Sequence, residues 1–143
     1  LNIRLIEVKD APAIAQLMTQ LGYITTEKQM QDRLNKLKHH EDYEGIVAEQ
    51  DGTIVAFVGL HDGLLFKDDQ SYVRVIAFVV DETCRGQGIG TALLKEVERW
   101  AKQKGATSVT LNSGNRTERK DAHHFYIERG FQPKSTGFVK KMK

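Results

Sequence analysis

Cysteine occurs once in the chain, at Cys84, and a single thiol excludes an internal disulfide. With no His pair beside it, a zinc site is not expected either, and no metal is. Long apolar runs are missing too. No stretch approaches the length that spans a bilayer, and the opening Leu1-Asn2-Ile3-Arg4 lacks the basic-then-apolar layout of a secretion signal. The expectation is a cytoplasmic protein with no membrane partner. Charge of one sign is scarce: the formal net charge is +2, too small to imply nucleic acid as a partner without a clustered basic face. The cations do gather toward the end. Between Gly114 and Lys143 stand Arg116, Arg119, Lys120, Arg129, Lys134, Lys140, Lys141 and Lys143 against Glu118, Asp121 and Glu128. That stretch reads either as a solvated basic surface or as a face toward a phosphate-rich ligand.

What is present is ordinary for a globular protein. The 143 residues are 40% hydrophobic and 28% charged, enough for one cored domain over 1–143 and too few for two. Repeats, low-complexity tracts and linkers are absent from the sequence.

Ile3 to Ile6 reads as a strand. Asp10-Ala11-Pro12 then opens a helix, with Asp as cap and Pro in the first turn, where its missing N–H is harmless. Ile14, Leu17, Met18 and Leu21 recur at helical spacing until Gly22. Thr26 with Gln29 forms a capping-box pattern ahead of Met30, Leu34 and Leu37. From Tyr43 the period becomes that of strands: Ile46 to Ala48, the turn pair Asp51-Gly52, Ile54 to Leu60, the pair Asp62-Gly63, and Tyr72 to Val80. These segments predict an antiparallel meander whose last, nearly all-apolar strand is central. Leu93, Leu94, Val97, Trp100 and Ala101 mark one face of a long helix that Gly105 ends. Ser108 to Leu111 reads as a strand, Lys120 to Arg129 as a helix stopped by Gly130, and Phe131 to Lys134 and Phe138 to Met142 as two closing strands. The predicted class is α/β (α+β), a mixed, mostly antiparallel sheet with helices on both faces, in the order β-α-α-β-β-β-α-β-α-β-β.

Chemistry concentrates where the all-apolar strand meets the long helix, in Phe78-Val79-Val80-Asp81-Glu82-Thr83-Cys84-Arg85-Gly86-Gln87-Gly88-Ile89-Gly90-Thr91. Glycines let the main chain turn sharply, so that successive N–H groups point at an anion, and the helix N-terminus behind them favours phosphate oxygens. A P-loop would end in Gly-Lys-Ser/Thr, whereas this loop ends in Gly90-Thr91-Ala92. A dinucleotide fingerprint beginning at Gly86 would place its third glycine at Thr91 and would follow the first strand of a parallel unit, not a meander.

The remaining pattern, Arg85-x-x-Gly88-x-Gly90 between an apolar strand and an amphipathic helix, resembles the acyl-coenzyme A signature of the GNAT superfamily of N-acetyltransferases. Asp121-Ala122-His123-His124-Phe125-Tyr126-Ile127-Glu128-Arg129-Gly130-Phe131 is similar to that family's last helix and the strand after it. The resemblance covers nearly the whole chain; the first forty or so residues match in layout only. It implies transfer of an acetyl group from acetyl-coenzyme A to a primary amine by direct attack, on a small molecule, with a peptide N-terminus or lysine as the alternative acceptor. A non-catalytic acyl-coenzyme A sensor is the reading of another class.

The resemblance also implies roles. Main-chain N–H groups of Arg85, Gly86, Gln87, Gly88, Ile89, Gly90 and Thr91 would hold the pyrophosphate. Phe78, Val79 and Val80 would offer a strand edge to the pantetheine arm where it splays from Ser108 to Leu111. Asn115 would contact the cofactor, and Tyr126 would bind it and protonate its departing sulfur, since a phenol is close in acidity to a thiol. The carboxylate that some relatives carry on the strand into the loop is missing from Tyr72-Val73-Arg74-Val75-Ile76. His61 is therefore the candidate base, with Asp62 and Glu82 as alternatives. His123 and His124 read as helix-surface residues and Cys84 as a small, partly buried one. A homodimer is expected by analogy alone.

Overall fold

A computed structural model describes residues 1–113 and 120–142. The chain divides into two compact units, Leu1–Thr110 and Leu111–Lys143, each described by itself.

In the first unit β1 (Asn2–Leu5), β2 (Tyr43–Gln50), β3 (Thr53–Leu64) and β4 (Ser71–Val80) pair in sequence order as an antiparallel meander, and β5 (Ala106–Leu111) adds beside β4. Three helices complete it: α1 (Ala11–Leu21), α2 (Glu27–Leu37) and α3 (Ile89–Gln103). Residues on a strand alternate between faces, so Val47, Phe57 and Val79, adjacent in register, point the same way. They bury against Ile14, Leu17, Met30 and Leu34 of α1 and α2. The intervening row, Ile46, Val58 and Phe78, faces the other side, where α3 runs against β2, β3 and β4 and buries Leu93, Leu94, Val97 and Ala101. Trp100, on the edge of that stripe, is only half-buried; with Ile3, Leu5 and Ile46 it lines a shallow groove toward β1.

Local signals in the sequence form as chemistry requires. The Thr26 hydroxyl accepts from the Gln29 N–H at 3.1 Å while the Gln29 side chain accepts from the Thr26 N–H at 2.9 Å, a reciprocal capping box. Asp51 and Gly52 sit at φ 54° and 79°, as the tight hairpin turn demands. Asp10 stands at the cap position of α1 but does not cap it. Its carboxylate instead accepts from the Arg4 guanidinium at 2.8 and 2.9 Å and from the Glu7 N–H at 2.8 Å, and Arg4 also reaches Glu49 at 2.8 Å.

One predicted boundary moves. β3 does not end before Asp62-Gly63 but continues to Leu64. Gly63 lies opposite Tyr72, and a side chain there would meet the Tyr72 ring at 2.6 Å, so this glycine makes room for an aromatic rather than a turn. The two closing strands are also corrected. Residues 131–142 carry no strand, and Phe138 and Val139 are each 93% exposed. A strand exists through its ladder, and in this unit nothing described pairs with that segment. The second unit's regular element is α4 (Lys120–Glu128), stopped as expected at Gly130, φ 92°.

Candidate active site

The loop after β4 is built by its neighbours. Residue Val55 is an extra residue in β3, where the register with β2 shifts, and its carbonyl accepts from the Asp81 N–H at 2.7 Å at the point where β4 ends. The Asp81 carboxylate then accepts from the Thr83 N–H at 2.9 Å and the Thr83 hydroxyl at 2.8 Å, closing a single 3-10 turn over Glu82–Cys84. Those bonds, the main-chain one first, hold its carboxyl below the usual range. Glu82 donates its N–H to the Gln20 side chain of α1 at 3.0 Å, and the Arg85 Nε turns back to the Val80 carbonyl at 3.3 Å.

Gly86 and Gly88 follow at φ 80° and 83°, a left-handed conformation that costs other residues about 1–2 kcal/mol. Gly88 is the N-cap of α3, whose first i to i−4 bond runs from Ala92 to Gly88. A glycine cap brings no side-chain oxygen to the opening N–H groups, and the first turn carries no acidic residue. A Cβ built on Gly86 or Gly88 would meet nothing within 4 Å, so the space beside these two glycines is open. A helix N-terminus without a carboxylate, reached through glycines with open space beside them, is a setting that favours an anion.

Along β4, Phe78, Val79 and Val80 spend one edge on β3, opposite Val58, Phe57 and Ala56. Any main-chain bond they offer a ligand must come from the β5 side. There the two strands start together, the Thr107 hydroxyl donating to the Ser71 carbonyl at 3.3 Å. A second bulge, invisible in the sequence, leaves Ile76 without a register partner between Leu60–Val75 and Gly59–Ala77.

His61 and Asp62, adjacent in β3, face opposite sides of the sheet. His61 shares the α1 and α2 side, and its Nε2 lies 2.9 Å from Asp42. Asp62 points the other way, with Oδ1 enclosed and without a hydrogen-bond partner among the described residues. The two cannot serve one proton. Asp42 escaped the sequence reading because it belongs to a connection, not a motif.

In the second unit the Tyr126 ring stands edge-on to Phe125 at 5.5 Å and to Phe131 at 5.7 Å, and its carbonyl accepts from the N–H groups of Arg129 and Phe131. Asn115 lies outside the described residues. Among the described residues no three His, Cys, Asp or Glu gather as a metal site would require, and no helix is long and apolar enough to cross a membrane.

The model of the acetyltransferase (GNAT) family matches residues 11–131. An aminoalkylphosphonate N-acetyltransferase of Salmonella typhimurium is 30% identical over 67% of this chain and 61% of its own length, so the match spans about three fifths of that relative. An uncharacterized N-acetyltransferase of Bacillus subtilis, YhdJ, is 29% identical over 90% of this chain and 87% of its own. The crystal structure of a GNAT family acetyltransferase of Staphylococcus aureus superposes with a TM-score of 0.86 at 28% identity, covering 99% of this chain and 98% of that one. The chain therefore belongs to the GNAT acetyltransferase family, enzymes that use acetyl-coenzyme A to acetylate amines.

Proposed function

We propose that residues 1–143 act as one acetyltransferase domain whose acceptor is the primary amine of a small molecule, attacked directly and without an acyl-enzyme. The glycine-capped N-terminus of α3, open beside Gly88 and free of acidic residues in its first turn, carries the reading, because it favours an anion such as a pyrophosphate. The aminoalkylphosphonate acceptor in the name of the Salmonella relative favours a small amine.

Acetyl-coenzyme A supplies the activated acyl group. The chain's own residues hold and move protons. Main-chain N–H groups from Arg85 to Thr91 would bind the pyrophosphate, Phe78 to Val80 the pantetheine arm, and Asn115 a further polar group of the cofactor. An aliphatic ammonium with a pKa near 10 is only about a thousandth neutral at pH 7, so a base that takes its proton removes a cost of about 4 kcal/mol. His61 fills that role, and the Tyr126 hydroxyl gives a proton to the departing sulfur. Walls for the acceptor come from α1, α2, their connection at Gly22 to Thr26, and the turn between β3 and β4.

The test is thiol release from acetyl-coenzyme A with a panel of small amines, run beside intact-mass analysis of candidate protein acceptors. Release with small amines and no mass gain on proteins is the expected result. Mass gain on proteins alone would replace the small-molecule acceptor, and binding without any release would make the chain a sensor.

A further inference from the structure

His61 does not stand alone at the end of the sheet. Its Nε2 lies 2.9 Å from Asp42 Oδ2, and its ring lies 4.5 Å from that of Tyr43, its cross-strand partner, tilted by 37°. His40 closes the far side of Tyr43 edge-on at 6.0 Å. The main chain fixes the pair as well, since the Asp62 N–H donates to the Asp42 carbonyl at 2.8 Å. The imidazole is thus held in plane by one ring, in direction by one carboxylate, and in height by one backbone bond.

We propose that Asp42 is the positioning residue of a His61 base that takes the proton from the acceptor ammonium, a role that rests on the acetyltransferase reading above. An ionised carboxylate only accepts, so the contact requires the proton on Nε2 and leaves the lone pair on Nδ1. Asp42 is held ionised by that same hydrogen bond, which keeps its carboxyl below the usual range. His61 alternates with Phe57 and Gly59 onto the face that bears α1 and α2, where the acceptor is placed above, while Asp62 is turned away. Among the described residues, the charged and titratable groups around the ring are Asp42 before β2, the Tyr43 phenol on β2, His40 behind it, and Arg74 opposite on β4. A carboxylate at hydrogen-bond distance favours an imidazolium, so removing Asp42 weakens the base.

The step balances. Nδ1 takes one proton from the ammonium, and the freed nitrogen pair forms the C–N bond as the C–S bond breaks. The sulfur leaves as a thiol with the proton equivalent of the second one the nitrogen sheds, and the imidazolium returns its proton to solvent. Ammonium and acyl thioester become amide, thiol and one proton.

Two readouts test this on wild type, Asp42→Asn, Asp42→Glu and His61→Gln. Nitrogen-15 NMR of the protein without cofactor reads the His61 tautomer and titration midpoint. The pH profile of kcat/KM across about pH 5.5 to 9 reads the acid limb, using the fastest amine of the panel. Expected are an Nε2–H tautomer in wild type and a midpoint and acid limb that fall together in Asp42→Asn. Turnover at neutral pH should drop about three- to tenfold there, as suits a half-exposed pair, with partial recovery in Asp42→Glu and a loss of about a hundredfold in His61→Gln. Acetyl-coenzyme A should raise the melting point of all four alike. An Nδ1–H tautomer, or an acid limb that stays in place while the midpoint moves, overturns the proposal. If wild type releases no thiol with any amine although acetyl-coenzyme A raises its melting point, the acceptor reading has failed and the base assignment falls with it; if both hold and only the limb is unmoved, the dyad alone is wrong.

Discussion

The Glu82 main-chain N–H donates to the Gln20 side chain at 3.0 Å, tying the turn that leads into the glycine loop to the last turns of α1. A helix expected to wall the acceptor thus also steadies the segment expected to hold the cofactor.

Gln20→Ala removes that tie without opening the core. It should weaken acetyl-coenzyme A binding by about three- to tenfold, the worth of one net hydrogen bond, while the melting point moves little. Isothermal titration of the variant beside a thermal melt checks both halves.

Gly88→Val places a β-branched side chain at φ 83° on the cap of α3. Nothing lies within 4 Å of its Cβ, so the cost is conformational, about 1–2 kcal/mol or a few degrees of melting temperature. The larger effect should be on the ligand, because the side chain enters the open space beside Gly88, where the pyrophosphate is proposed to bind. Loss of detectable acetyl-coenzyme A binding in a folded variant is the expected outcome, read by circular dichroism and titration.

Asp10 is buried, and the Arg4 guanidinium before all else holds its carboxyl below the usual range. A lowered folded pKa contributes stability that is complete above the unfolded value, near 3.9, and is lost as pH falls through the folded one. Asp10→Asn weakens these charged hydrogen bonds and should cost about 2 kcal/mol at neutral pH, and its gap to wild type should narrow as pH drops below about 4. Urea unfolding at neutral and acid pH measures it.

Tyr126→Phe should lower kcat by about a hundredfold while acetyl-coenzyme A still binds, since the hydroxyl is assigned as the acid. Steady-state kinetics at saturating amine, with titration of the cofactor, separates the two.

Much of the fold was legible where the signal is local. Thr26 and Gln29 announced their capping box, Asp51-Gly52 its hairpin, and the Leu93, Leu94, Val97, Ala101 stripe its helix, because each sits within a few residues of what it bonds or buries against. Errors arose where meaning comes from across the sheet. Gly63 reads as a turn residue from its neighbours, but the Tyr72 ring across the sheet is what requires a glycine there, and Asp10 reads as a cap, but Arg4 holds its carboxylate. The Asp42–His61 pair was nearly in reach. Counting back from the Asp51-Gly52 turn sets 42 opposite 61, and the bulge at Val55 shifts the register by one so that Tyr43 takes that place and Asp42 closes over the ring. The closing strands failed for a plainer reason, since apolar pairs such as Phe138-Val139 state no partner.

One measurement bears most directly on the pyrophosphate cradle: the melting temperature of the intact protein with and without about 1 mM acetyl-coenzyme A, a concentration that adds about 2.7 kcal/mol if it is a hundred times the dissociation constant. A rise of several degrees in wild type, absent in Gly88→Val, is the predicted result. An unchanged melting temperature in wild type would contradict it.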